Sequence, residues 1–106
     1  MEFVHIYMIY IIKNEYVNIA FFSRINGVPA CGNKKLLTDI LRTELGFTGY
    51  VVSDQAAIEN IIDFHHYTNN SIDTVALCVN AGCNLELSTN LDKPIYFSMC
   101  KFIFSL

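Results

Sequence analysis

The run Gly49-Tyr50-Val51-Val52-Ser53-Asp54 lies between two stretches of helical periodicity and constrains the fold more than any other part of the chain. A short apolar run opened by glycine and closed by Ser-Asp reads as a strand buried on both faces, which is the habit of parallel sheets covered by helices. It carries one carboxylate, Asp54, to its C-terminal end. In parallel α/β folds, and in eight-stranded barrels above all, that end holds the functional groups, because loops vary there while strands keep them rigid.

The flanking segments extend the pattern. Val17 to Phe22 is a strand-type apolar run, and Asn26-Gly27 with Pro29 marks a loop after it. Asn33 is placed to cap a helix with Leu36, Leu37, Ile40, Leu41 and Leu45 on one face and Gly46 as its stop. After the Gly49 to Asp54 strand, Ala56 to Phe64 has a helical pattern with Ile58, Ile61 and Ile62 apolar. A further helix is expected from Ser71 as N-cap, packing Val75, Ala76 and Val79 and stopping at Gly82, before a strand-like run from Asn84 to Leu87.

Strand, helix, strand, helix, helix, strand demands parallel strands joined by right-handed helical crossovers, an α/β layer or barrel. A closed barrel takes about 250 residues. The 106 residues of this chain hold strands and helices for only part of one, so open strand edges and uncovered helix faces are expected.

With 53% apolar and 16% charged residues the chain is globular rather than disordered, with material for one core. A net charge of −3 and basic residues scattered apart from Lys34-Lys35 give no nucleic-acid or anionic-membrane surface. Phe3 to Ile12 is apolar but too short to span a bilayer, and no basic segment precedes it. Ile95 to Leu106 is again apolar and aromatic, with Phe97, Phe102 and Phe104. Residues 1–23 thus read as an apolar leader and 89–106 as an apolar tail around an organised segment, 24–88.

The ionisable side chains offer several sites. By pattern alone Asp54 fits two roles equally: a carboxylate held for chemistry at a strand end, or a cap for the helix starting near Ala56. Glu59 and Asp63, four apart on a helix, read as solvated, whereas Glu86 ends a strand-like run and can face a site. His65 and His66, followed by Tyr67, can line a pocket mouth or order their own loop. Adjacent histidines are poor joint metal ligands, and Cys31, Cys78, Cys83 and Cys100 lack zinc-site spacing, so no metal is expected and the cysteines read as buried or free thiols.

Several pieces stand together in an order that resembles a known family. These are Arg24-Ile25-Asn26-Gly27-Val28-Pro29-Ala30-Cys31, Asn33-Lys34 with Leu36 to Arg42, Gly46-Phe47-Thr48-Gly49-Tyr50-Val51-Val52-Ser53-Asp54, His65-His66-Tyr67-Thr68 and Ala81-Gly82-Cys83-Asn84-Leu85-Glu86-Leu87. They look like part of the N-terminal catalytic barrel of family 3 glycoside hydrolases, with the NGVPAC, HHYT and NLELS pieces most similar to its β-xylosidase and α-arabinofuranosidase branch. The resemblance implies a partial (β/α)8 TIM barrel of roughly three late strands with their helices. It implies an exo-acting, retaining β-glycosidase that removes terminal xylosyl, arabinosyl or glucosyl units from a glycoside or oligosaccharide, without a cofactor.

In such an enzyme the Asp of the SD motif is the nucleophile, which here is Asp54. The acid/base would come from a region beyond the matched pieces, leaving Glu86 a poor candidate. Three departures stand out. Phe22-Ser23 replaces Tyr-Asn, Gln55-Ala56 replaces the Cys-Gly expected after the nucleophile, and the upstream Lys-His pair is absent. The second departure leaves Cys31 without the disulfide partner that the resemblance implies. The alternative to an active enzyme segment is an inactive chain or a sugar-binding remnant.

Overall fold

The computed structural model describes the backbone of residues 17–20 and residues 24–89 and 95–96 in full. The expected apolar leader before Val17 and the apolar tail beyond Tyr96 lie outside the described residues, as do Phe22-Ser23 and Cys100.

Strand β1 (Val17–Ala20) pairs in parallel with β4 (Tyr50–Ser53), with Val17 opposite Tyr50 and Ala20 opposite Ser53. On the other side of β4, Leu85 forms a parallel bridge with Val52. The three segments therefore lie side by side in sequence order with helices between them, as the apolar runs predict. In β4 the side chains of Val51, Val52 and Ser53 are buried, while Tyr50 at the strand's start is exposed.

The Asn26-Gly27 loop closes more tightly than the sequence suggests. β2 (Arg24–Ile25) and β3 (Val28–Pro29) pair antiparallel across these two residues. Both turn residues have positive φ, 52° and 79°, the conformation that makes Asn-Gly the preferred two-residue hairpin. A 3₁₀ turn (Ala30–Gly32) follows and is wholly buried.

Helix α1 (Lys35–Glu44) is capped as expected, the Asn33 side-chain oxygen accepting from Leu36 N at 3.1 Å. It is wound in wide π-type turns, and Leu45 N reaches back to Ile40 O at 3.0 Å. The wide turn aligns residues five apart, so Leu36 and Leu41 are both buried while Ile40 and Leu45 are only partly covered.

The segment after β4 differs from expectation. Gln55 to Ile58 form turns, and α2 is confined to Glu59–Asp63. Ala56 holds φ 61°, which an α-helix cannot contain, so helical geometry begins only beyond it.

Helix α3 (Ser71–Ala81) is capped by Asn70 rather than Ser71. Asn70 Oδ1 accepts from Asp73 N at 2.9 Å, and Asn70 Nδ2 donates back to the Asp73 carboxylate at 2.8 Å. Its buried face is Thr74, Val75, Cys78 and Ala81, with Val79 exposed and Ala76 only half-buried. The close approach of neighbours explains the rotation. Gly32 lies under Leu77 so tightly that a Cβ there would meet the Leu77 side chain at 2.7 Å, and Thr38 Oγ1 donates to Ala81 O at 2.8 Å. The helix ends at Gly82, whose φ of 111° is open to glycine and strained for other residues.

One apolar core joins these parts: Ala30 and Cys31 of the turn, Leu36, Leu37 and Leu41 of α1, Val51 of β4, Ile58 and Ile61 around α2, and Cys78, Ala81 and Cys83 at the end of α3. Among the described residues thirteen buried apolar side chains make this core, and it includes Val51 of β4, the strand that leads to Asp54.

Candidate active site

The site begins with Ser53. Its amide donates to Leu85 O at 2.8 Å and its side-chain oxygen accepts from Leu87 N at 2.9 Å, so this buried serine bonds the end of β4 to the next strand segment through backbone and side chain alike. Asp54 follows and is exposed. Its carboxylate accepts from Gln55 N at 2.9 Å, and its carbonyl accepts from Ala57 N at 3.1 Å. Helix α2 starts at Glu59 with no side-chain cap, so the capping role that pattern alone allowed for Asp54 is not the one it takes. The carboxylate stands at the C-terminal end of a parallel strand, open to solvent.

The loop beyond Asp54 is held by backbone. Ala56 N donates to Leu87 O at 2.9 Å, and Ala56 itself holds a left-handed conformation. A β-carbon in that region costs about 1–2 kcal/mol.

His65 and His66 follow α2. His65 receives two hydrogen bonds from Arg24, one from Nε to its Nδ1 at 3.2 Å and one from Nη2 to its carbonyl oxygen. The same guanidinium lies 6.0 Å from the centre of the Tyr67 ring. Arg24, on the hairpin, thereby gathers His65 and Tyr67, and His65 stacks edge-on against Phe64 at 5.4 Å. His66 is exposed at φ 51°. The bonds of Asp54 are local, to Gln55 and Ala57, while those of His65 run to the hairpin. Nothing in the sequence links Arg24 to His65 across forty-one positions; that pairing is legible only in three dimensions.

One glutamate departs from the sequence reading, and a second is engaged away from the strand end. Glu59, expected to be solvated, is half-buried: its Oε1 accepts from Ser88 Oγ at 2.6 Å and from Thr89 N at 2.9 Å, and its Oε2 is buried with no hydrogen-bond partner among the described residues. Glu86 accepts from Ile95 N at 3.0 Å and Tyr96 N at 2.8 Å, one bond to each oxygen. Burial pushes its carboxyl above the ordinary value, the two amides pull it down, and nearby Glu59 pushes it up again. Both oxygens of Glu86 thus bind the amides of the chain that follows. Among the described residues no group of three His, Cys, Asp or Glu side chains could hold a metal ion.

The model of the glycosyl hydrolase family 3 N-terminal domain matches residues 11–103, nearly the whole chain. The chain belongs to glycosyl hydrolase family 3. The exo-1,4-β-xylosidase of Emericella nidulans is 37% identical over 71 residues, which are 64% of this chain and 9% of that protein. Among solved family structures, a β-glucosidase of Erythrobacter marinus matches with a TM-score of 0.70 and 31% identity over 79% of this chain and 11% of its own. A family 3 exo-β-xylosidase in complex with a xylobiose aziridine probe matches with a TM-score of 0.62 and 33% identity over 76% of this chain and 10% of its own. The chain therefore spans about a tenth of the length of the relatives it matches. Family and neighbours together imply a TIM-barrel type of fold.

Proposed function

We propose that this chain is the nucleophile-bearing part of a retaining, exo-acting β-glycosidase of the β-xylosidase or β-glucosidase kind, with Asp54 as the nucleophile. In this reading residues 24–88 supply roughly three late strands of the barrel with their helices. The supporting observation is the placement of Asp54: exposed at the C-terminal end of parallel β4, fixed by local amides and free of any capping duty. A retaining enzyme needs an ionised carboxylate beneath the anomeric carbon, where it displaces the leaving sugar and forms a glycosyl-enzyme that water then hydrolyses. A strand end supplies the rigidity. Arg24, His65 and Tyr67 form a cluster of hydroxyl-directed groups, with His65 and His66 turned toward the sugar side in this reading.

The test is made on the complete polypeptide with aryl β-xylosides and aryl β-glucosides. Asp54→Asn abolishes turnover while the circular dichroism spectrum is unchanged, and a xylobiose aziridine probe labels the peptide carrying Asp54. An unchanged rate, or a label on another carboxylate, refutes the assignment. A second reading concerns the 106 residues alone: with the acid/base expected from a region beyond the matched pieces, the isolated chain is expected to hydrolyse neither glycoside.

A further inference from the structure

Glu59 is a half-buried carboxylate that the nucleophile assignment leaves without a task. β1, β4 and the segment around Leu85 run parallel, so the turn after Asp54 and the Ser88-Thr89 stretch leave their strands at the same edge of the sheet. Glu59 opens α2 on that edge, at the far end of the turn. Its Oε1 accepts from Ser88 Oγ at 2.6 Å, from Thr89 N at 2.9 Å and, at longer range, from Thr89 Oγ1 at 3.4 Å. Oε2 is buried, so the carboxylate is turned into the protein rather than out to solvent.

The same short stretch is bonded on both sides of Asp54. Ser53 Oγ accepts from Leu87 N at 2.9 Å, and Ala56 N donates to Leu87 O at 2.9 Å. Glu59 then holds the next two residues, Ser88 and Thr89. Ala57 and Ile58, between these attachments, are buried in the core, which draws the turn inward but is non-directional and sets no position along the sheet. The Asp54 carboxylate bonds to Gln55 N, inside the turn, so its orientation follows the turn.

We propose that Glu59 is a positioning residue for the glycosidase reaction, a role that rests on Asp54 being the nucleophile: through Ser88 and Thr89 it fixes the far end of the turn and so aims the attacking carboxylate. A carboxylate suits the task, because its charge-assisted bonds to a hydroxyl and an amide are shorter and stronger than those of a neutral acceptor. One oxygen engages two successive residues, which indexes the turn against the neighbouring strand end. Without it the sugar is still bound by its own contacts, but the carboxylate no longer meets the anomeric carbon squarely. The loss therefore falls on the chemical step rather than on binding.

On the complete polypeptide, Glu59→Ala is compared with the parent on an aryl β-xyloside and with the xylobiose aziridine probe, well below the melting temperature of both. The expected result is that kcat and the rate constant of labelling at saturating probe fall together, by roughly 10- to 100-fold, while KM and the final labelled fraction stay as in the parent. Glu59→Gln, which keeps an oxygen acceptor, recovers most of the loss, and Ser88→Ala costs less in Glu59→Ala than in the parent. Should Glu59→Ala fail to fold, Glu59→Asp carries the test: it keeps the charge, withdraws the oxygen from Thr89, and is expected to lower kcat at constant KM. A role in folding alone would reduce the labelled fraction and leave the labelling rate constant and the kcat per labelled site unchanged. That outcome overturns the proposal, as does an equal Ser88→Ala loss in both backgrounds. A label on a carboxylate other than Asp54 defeats the nucleophile assignment and this role with it, so where the label sits and how fast it arrives tell the two failures apart.

Discussion

Asn84 Oδ1 accepts two hydrogen bonds at once, from Arg42 Nη2 at 2.8 Å and from Val51 N at 2.9 Å. Arg42 also donates to Gly49 O at 2.8 Å and Gly82 O at 3.1 Å, and lies 5.8 Å from the centre of the Phe47 ring. One guanidinium from α1 thus joins the start of β4 to the end of α3. Lysine cannot reproduce this, since it lacks the planar fork that reaches three acceptors. Arg42→Lys is expected to destabilise the full protein by about 1–3 kcal/mol, measured as the urea midpoint. Asn84→Ala acts on the same network, so the double variant loses less than the two single losses added. Strict additivity would separate the two residues.

Ala56→Gly should stabilise. At φ 61° the alanine β-carbon carries a penalty that glycine does not. The gain is on the order of 1 kcal/mol after the larger unfolded-state entropy of glycine is subtracted. A lowered urea midpoint would mean that the methyl packs favourably enough to offset its backbone.

Asn33 works in two directions. It caps α1 through Oδ1, and its Nδ2 donates to Ile25 O at 3.2 Å, so it also holds the hairpin. Asn33→Ala is expected to cost about 1–2 kcal/mol. Asn33→Asp keeps the cap and loses the donor, and should fall between. If alanine and aspartate cost the same by thermal unfolding, the bond to Ile25 is the whole of the effect.

Glu86 makes stability depend on pH with a sign opposite to most carboxylates. Burial raises its folded value above the ordinary 4.5, so the folded state binds the proton more tightly than the unfolded chain. That contribution is fully present below pH 4.5 and is lost as pH rises from there through the folded value. Glu86→Gln should flatten this decline in a series of urea titrations above pH 4.5, whatever it does to absolute stability. An identical slope in both proteins would place the pH dependence elsewhere.

Legibility in the sequence followed the range of the interactions. The strands at Val17 and Tyr50, the Asn33 cap, the Asn-Gly turn and the Gly82 stop are local signals, and each appears where its residues are. The inward face of α3 was misread because Cys78 and Ala81, not Val79, meet the 3₁₀ turn, and no periodicity reports how close a distant backbone will come. The wide winding of α1 left no mark in its apolar spacing. At the site, Asp54 was visible as the end of a run. Glu59 was taken for a surface residue because its partners, Ser88 and Thr89, lie some thirty positions away. The bond from Arg24 to His65 is illegible for the same reason, its partners lying forty-one positions apart.

The serine before Asp54 has a mechanical consequence. Its Oγ holds Leu87 N, and at the other end of the same strand pair the Asn84 side chain holds Val51 N. Two pins, one at each end, leave the neighbouring segment no freedom to slide: a slip of one residue would break both and turn every side chain to the opposite face. The height of Asp54 above the sheet is therefore set by indexing rather than by packing, and a core substitution that loosens α3 can soften the molecule without moving its carboxylate.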